Sequence, residues 1–334
     1  MVSVLMSVYR EPVEWVEEAI FSVLQQSYSD FEFIIIIDDP NNEAIISLIR
    51  SFSKTDHRVK FHRNEKNLGL TKSLNVGLAL CKGKYIVRMD ADDISLPGRI
   101  ESQVKFMEEN IDIVASGTAI TKFGKENQTI VFESDSERIE QNFVLPSPIF
   151  PPIAHPTAII RVDVLIKHNI RYNEVYTTSQ DYGLWNDLVK IGKISNLDTV
   201  FLKYRVSDQQ ITAKKREIQK KNRNLIIRDH ISYFVSKEGE GKYVVPEIID
   251  LRAIRELKKI TKNVNNASTY VQLQNFILCY YFSLTKYNSL SLIYFISTDF
   301  FNKSWSFKDR VRIFLSHFSR RFVRAIITPI VEKE

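Results

Sequence analysis

The stretch that most constrains this chain is Tyr85-Ile86-Val87-Arg88-Met89-Asp90-Ala91-Asp92-Asp93. It reads as a buried strand that runs into three carboxylates within four residues. Acids crowded at a rigid strand end repel one another unless a positive charge sits among them. A divalent cation answers that need, because hard metals such as Mg²⁺ and Mn²⁺ prefer oxygen ligands. A solvated acidic turn is the plain alternative for a lone Asp-x-Asp. The neighbouring segments decide between the two.

Residues 2–9 form a short apolar strand, and Pro12 is placed to open a helix at its first turn. Val13, Val16, Ala19, Ile20, Val23 and Leu24 then fall at helical spacing. Phe31 to Ile37 is an apolar, mostly β-branched run broken only by Glu32, the pattern of a strand buried on both faces of a parallel sheet. It ends at Asp38-Asp39, with Pro40-Asn41-Asn42 as a turn. Ala44 to Phe52 is helical, a third strand lies around Val59 to His62, and Leu70 to Cys81 is a helix leading to the strand at 85–89. Strands alternating with helices in this way predict a parallel α/β sheet. Ligands of such sheets bind beyond the carboxyl ends of the strands. Ser7 and Tyr9, Asp38 and Asp39, and Asp90 and Asp92 all fall at those ends. Separate acidic turns have no reason to recur at successive strand ends, whereas a shared site does.

The motifs Ser3-Val4-Leu5-Met6-Ser7-Val8-Tyr9, Ile36-Ile37-Asp38-Asp39, Asn67-Leu68-Gly69-Leu70-Thr71-Lys72-Ser73-Leu74-Asn75-Val76-Gly77 and Gly83 to Asp93 occur in that order. Together with Ile94-Ser95-Leu96-Pro97-Gly98-Arg99 and Gln103, they resemble glycosyltransferase family 2, in its bacterial capsular and lipopolysaccharide branch. The resemblance covers residues 1–212 and implies a GT-A fold: a Rossmann-like, mostly parallel sheet flanked by helices. On this reading 1–117 is the nucleotide-sugar half, 118–212 the acceptor half, and 213–334 a helical, basic C-terminal extension.

The resemblance also implies roles. Ser7 and Tyr9 with Asp38 and Asp39 would hold the nucleotide, with Tyr9 either stacking on the base or serving as a core aromatic. Lys72 and Arg99 are candidate diphosphate contacts. Asp92, assisted by Asp90, would ligate Mn²⁺ or Mg²⁺, Asp90 also facing the ribose, and Asp93 would brace the loop. UDP is the expected nucleotide, followed by dTDP. Thr178-Ser179-Gln180-Asp181-Tyr182-Gly183-Leu184-Trp185 is similar to the family's Glu-Asp-Tyr-x-Leu-Trp motif, so Asp181 is the expected general base of an inverting displacement. A helix-capping aspartate is the ordinary alternative. Gln180 departs from the family, which often has glutamate there. His155, in His155-Pro156-Thr157, either approaches the phosphates or acceptor or is a structural histidine bonded to backbone. Tyr204 to Thr212 is similar to a family segment that often has histidine where Ser207 stands. We expect a lid there, with Arg205 or Asp208 as substitute contacts.

Charge and composition bear mainly on the remainder. The net charge of +6 arises after residue 212, where basic residues predominate. Lys303 to Arg324 combines aromatics with seven Lys or Arg, as suits an anionic membrane surface. A helical pair packed on the catalytic domain is the alternative. Nothing accompanies the charge as a nucleic-acid recognition motif. The prolines of Leu145 to Pro152 predict a fixed, extended loop. Two cysteines far apart and no basic, cleavable leader predict a cytoplasmic protein, peripheral at the inner face of the cell membrane. The expected activity is transfer of a sugar from a nucleotide-sugar to a glycan or lipid-linked glycan. A sugar nucleotidyltransferase and a non-catalytic polysaccharide assembly protein are the alternatives.

Overall fold

The computed structural model describes residues 1–143, 151–207, 216–238 and 243–245, with Ile260 and Val264. Seven elements follow the predicted alternation: β1 (Val2–Val8), α1 (Val13–Leu24), β2 (Phe31–Ile37), α2 (Glu43–Thr55), β3 (Val59–Arg63), α3 (Leu70–Leu80) and β4 (Tyr85–Asp90). β1 and β2 are buried at every position, as a strand covered on both faces requires. Asn42 caps α2 by accepting from the Ile45 N–H at 3.3 Å.

Two close fits place α3 and the next helix. A Cβ at Gly77 would lie 2.2 Å from Leu5 Cδ1, so only glycine lets α3 approach β1 this closely. Leu96-Pro97-Gly98 makes a turn with Gly98 at φ 78°, a left-handed conformation that glycine adopts without strain. It launches α4 (Arg99–Glu109) directly after the short strand β5 (Ile94–Ser95).

The order β3-β2-β1-β4 is parallel throughout, with Ser7 of β1 level with Asp90 of β4. The chain winds outward from β1 to β3 and returns to the far side of β1 with β4. The crevice at that reversal is where such sheets bind ligands. Beyond β4 the sheet changes character. β8 (Ile159–Arg161) pairs antiparallel with both β4 and β6 (Ile113–Gly124), while β9 (Lys193–Val206) runs parallel to β6 and antiparallel to β5. β7 (Gln128–Ile130) extends β6 as a hairpin. The sheet is therefore mixed, and the mostly parallel expectation describes its first half. Register shifts in the β6–β9 pairing between Ile113 and Ala115 and around Ala119 break strict alternation, which hid these long strands from pattern reading.

The remaining described elements are α5 (Ser136–Asn142), a 3₁₀ turn (His155–Thr157), α6 (Val162–Lys167), α7 (Gln180–Val189) and α8 (Arg216–Glu238). The chain divides into one compact unit of residues 1–139 with 150–227, and a second of 140–149 with 228–334. In the first, α8 is tied to the segment before α7: Gln219 Nε2 donates to the Thr178 carbonyl at 3.2 Å. In the second, His230 stacks on Phe143 with ring centroids 4.6 Å apart and packs on Phe234 at 4.7 Å. No helix among the described residues is long and apolar enough to cross a membrane. The segment 144–150 of the proline-rich loop, residues 208–212 of the expected lid and the basic aromatic stretch 303–324 lie outside the described residues.

Candidate active site

β4 delivers the acidic cluster to the crevice. Carboxylate oxygens of Asp90, Asp92 and Asp93 all lie within 4.8 Å of one another. Asp90 and Asp92 are half-buried, and Asp93 is buried. Asp93 Oδ1 accepts the Arg205 N–H at 2.8 Å, while Oδ2 is buried without a hydrogen-bond partner. Burial, then the neighbouring Asp90 and Asp92, push the Asp93 carboxyl well above its ordinary range. Burial, Asp90 and Glu11 push Asp92 up to about 7. Arg88 pairs with Asp90 alone among the three, and the protons that such crowded carboxylates hold are what a hard divalent cation displaces. The donor set fits such an ion, with Asp92 and Asp90 as the accessible ligands.

At the end of β2, Asp38 is fully committed to the protein. Oδ1 accepts Asn64 Nδ2 and the Leu68 N–H, both at 2.8 Å, and Oδ2 accepts the Gly69 N–H at 2.9 Å. It fixes the loop that opens α3. Asp39 accepts Arg10 Nε at 2.8 Å and the Asn41 N–H at 3.1 Å. The Arg10 hydrogen bond and then the Asn41 N–H hold its carboxyl below the usual range. The same Arg10 guanidinium lies 4.8 Å over the Tyr9 ring. Tyr9 is half-buried at the crevice rim, not a core aromatic. Lys72 is exposed on the first turn of α3, 3.9 Å from Glu174. Ser7, level with Asp90, is buried in the crevice floor.

Asp181 lies half-buried in the first turn of α7. Burial raises its carboxyl, the N–H groups of Tyr182 and Asp181 oppose that rise, and the charges of Asp90 and Arg88 reach it. Its carboxyl thus lies within electrostatic reach of Asp90 at the end of β4. Gln180 beside it is buried, with Oε1 unpartnered, and an amide here avoids a second buried charge next to Asp181. Tyr204 of β9 is half-buried near Asp93, Asp90, Asp92 and Asp181, which together with burial raise its phenol.

Three expected contacts are corrected. Arg99 is 1% exposed and does not reach a diphosphate. Its Nε donates to Gln103 at 3.0 Å and its Nη2 to the carbonyls of Arg88 and Pro156 at 2.8 and 2.7 Å, so it ties α4 to β4 and the 3₁₀ turn. Arg205 is also spent on scaffolding. It donates to the Asp92 carbonyl at 2.7 Å and Glu18 at 2.6 Å, and lies against the rings of Trp15 and Phe123. His155 is buried among Tyr172 and Trp185, with Nε2 2.8 Å from the Tyr172 hydroxyl. Burial holds it well below its ordinary pKa, so it is a neutral part of the wall. Ser207 directly follows β9, and Asp208 lies outside the described residues.

Sequence reasoning passed over Arg88, Glu11 and Arg10. Arg88 carried a readable signal, since a guanidinium inside an otherwise apolar buried strand needs a partner. Glu11 carried none. Its Oε2 accepts the Tyr9 N–H at 2.7 Å, and burial raises its carboxyl against that bond.

Residues 3–168 match the family model for glycosyl transferase family 2. A Haemophilus influenzae protein described as an uncharacterized glycosyltransferase is 31% identical over 303 residues, covering 89% of this chain and 90% of its own length. The O-antigen biosynthesis glycosyltransferase WbnJ of Escherichia coli is 34% identical over 63% of this chain and 81% of its own. The amylovoran biosynthesis glycosyltransferase AmsE of Erwinia amylovora is 31% identical over 64% and 80%. The crystal structure of Staphylococcus aureus TarS 1–349 in complex with UDP-GlcNAc superposes with a TM-score of 0.55 at 13% identity, covering 83% of this chain and 89% of that one, a likeness of fold. With its mixed GT-A sheet and ordered motifs, the chain belongs to glycosyl transferase family 2 and is a glycosyltransferase.

Proposed function

We propose that this enzyme is an inverting, metal-dependent glycosyltransferase of bacterial surface-polysaccharide synthesis. It moves a sugar from a nucleoside diphosphate, UDP in the first instance and dTDP next, to a glycan or lipid-linked glycan. The observation that carries this reading is the convergence of Asp90, Asp92 and Asp93 at the end of β4 with Asp181 at the start of α7. The relatives that act in O-antigen and amylovoran biosynthesis support the polysaccharide setting.

Tyr9 and Asp39 line the nucleotide end, with Asp39 oriented by Arg10. Asp92 with Asp90 would hold a divalent cation, Mn²⁺ or Mg²⁺, which would supply positive charge to the departing diphosphate. Asp181 takes the proton of the acceptor hydroxyl as that oxygen attacks the anomeric carbon. The bond from that carbon to the diphosphate oxygen breaks on the opposite side, and the configuration inverts. The raised Asp181 carboxyl makes it a stronger base near neutrality than a solvated aspartate. The basic region after residue 212 supports an acceptor presented at the cytoplasmic face of the membrane. Truncation after Tyr270 is expected to release the protein from anionic vesicles, and continued sedimentation with them would reject that placement.

The function is tested by incubating the protein with UDP- and dTDP-sugars, with and without Mn²⁺, and following thermal unfolding and nucleoside diphosphate release. A ligand bound by the native state raises the melting temperature by mass action. A midpoint that no nucleotide-sugar moves, together with no diphosphate release, overturns the reading.

A further inference from the structure

Along β4 the side chains alternate. Tyr85, Val87 and Met89 enter the main hydrophobic core, which leaves Arg88 and Asp90 together on the opposite face. Arg88 is 1% exposed, a degree of burial that arginine tolerates only with partners. Its one ion-pair partner among the described residues is Asp90, through Nη2 and Oδ1. Nε and Nη1 are buried with no partner. The strand does not need this charge, because its neighbours in the run are apolar and a methionine-sized side chain would fill the space without desolvating a cation. The groups within its field include Glu11, Asp93 and Asp181 around the crevice, with His155, Tyr172 and the buried Arg99 behind it.

We propose that Arg88 is a positioning residue that holds the Asp90 carboxylate from beneath the crevice, presenting its free oxygen to the donor's diphosphate and the cation that accompanies it. This inference rests on the function proposed above. The terminal torsion of an aspartate is broad, so an unpaired carboxylate plane turns freely. The Nη2 bond to Oδ1 fixes that plane and leaves the other oxygen for the ligand. Arg99 reinforces the arrangement by donating to the Arg88 carbonyl, which fixes the backbone from which both side chains spring.

The test is a double-mutant cycle in the full chain with Arg88→Lys, Arg88→Met and Asp90→Asn, each read by nucleoside diphosphate affinity with and without Mn²⁺. The probes are UDP, dTDP and GDP, used separately. Arg88→Met is expected to weaken Mn²⁺-dependent affinity by about tenfold or more, as loss of one partner of a buried hydrogen-bonded pair does. Metal-free affinity should stay within about twofold, and Arg88→Lys should recover part of the loss. In the Asp90→Asn background either Arg88 change should add little, because groups that act through one another are not additive. A purely structural arginine would lower the melting temperature while leaving the Mn²⁺-dependent ratio intact. That result, or additive losses in the cycle, overturns the assignment. If Arg88→Met does not fold, the cycle with Arg88→Lys decides alone. Wild-type protein that binds none of the probes more tightly with Mn²⁺ overturns the proposed function and this inference together. Wild-type affinity that depends on Mn²⁺, with additive variants, overturns only this inference.

Discussion

At the end of β2, Asp38 gives both oxygens to the loop before α3, while Asp39 faces Arg10 and the Asn41 N–H. At the end of β4, Asp93 is buried under the Arg205 N–H, while Asp92 has no protein cation bonded to its carboxylate among the described residues. In each turn one acid braces the backbone and its neighbour faces the crevice. The crevice-facing acids then differ in charge balance. Asp39 is ionised below its usual range by Arg10, and Asp92 is pushed up to about 7 by burial, Asp90 and Glu11. The first turn is electrostatically complete with the residues it has. On the function proposed above, the second would be completed by a cation joining Arg88, which already pairs with Asp90, and that would separate a turn that recognises the nucleotide from one that handles its phosphates.

The largest test of this division lies beyond both turns, at Asp181. Asp181→Asn keeps the helix start and the shape of the site but removes the proton acceptor. Turnover is expected to fall by about 10²–10⁴-fold with donor affinity retained. Steady-state kinetics beside calorimetric donor binding separate the two quantities, and near-normal turnover would place the base elsewhere.

Asp92→Asn comes next and addresses the β4 turn directly. Mn²⁺ should no longer strengthen nucleoside diphosphate binding, since the amide is a poor ligand for a hard cation beside the remaining acids. The metal-free protein should melt at the same temperature or higher, because one of the crowded carboxylates is gone. Asp39→Asn should leave the Mn²⁺ effect intact while weakening nucleotide binding with and without metal alike. If both variants lose the Mn²⁺ effect, the two turns are not separate devices.

Much of this division is legible from residues alone. The apolar runs at 31–37 and 85–89 specify buried parallel strands, and their acidic ends specify a shared rim, because period and burial are local properties of the chain. Which acid of each pair faces the crevice is not local. Asp38 is consumed by Leu68 and Gly69 thirty residues on, and Asp93 by Arg205 of a strand paired across a bulged register. The same distance explains the misplaced cations. Arg99 and Arg205 resemble phosphate ligands in sequence, and only their acceptors, Arg88, Pro156, Asp92 and Glu18, show that they are structural. Arg88 is the opposite case, a buried charge whose position in an apolar strand was visible and whose partner was two residues away.

Asp38→Ala sharpens the contrast within the first pair. It strands the Leu68 N–H and one of the two Asn64 Nδ2 hydrogens, while the Gly69 N–H keeps Asn67 Oδ1 and Asn64 keeps Ser73 Oγ, and donors left without acceptors cost about 1–3 kcal/mol. Thermal or urea unfolding should register that loss, whereas Asp39→Asn should move the midpoint less, because an amide oxygen still accepts from Arg10 and the Asn41 N–H.

The smallest expected effect is the dependence on pH, and it distinguishes the turns without any substitution. Asp92 has its folded pKa raised to about 7 against an ordinary 3.8, so between those values the folded protein holds a proton that the unfolded chain releases. Stability follows the difference in bound protons, and it therefore falls as pH rises from about 4 to about 7 and levels off above. Asp39, with its folded pKa lowered, contributes in the opposite sense: its stabilisation is present above the ordinary value and is lost as pH falls through the folded one. A cation must displace the Asp92 proton, so apparent Mn²⁺ affinity should rise about tenfold from pH 6 to pH 8, with proton release on binding. Calorimetry in buffers of different ionisation enthalpy measures that release. Saturating Mn²⁺ should also flatten the fall in melting temperature across the same interval. An affinity independent of pH, with no proton released, would mean that Asp92 is already ionised and that the β4 turn is balanced from within, as the β2 turn is.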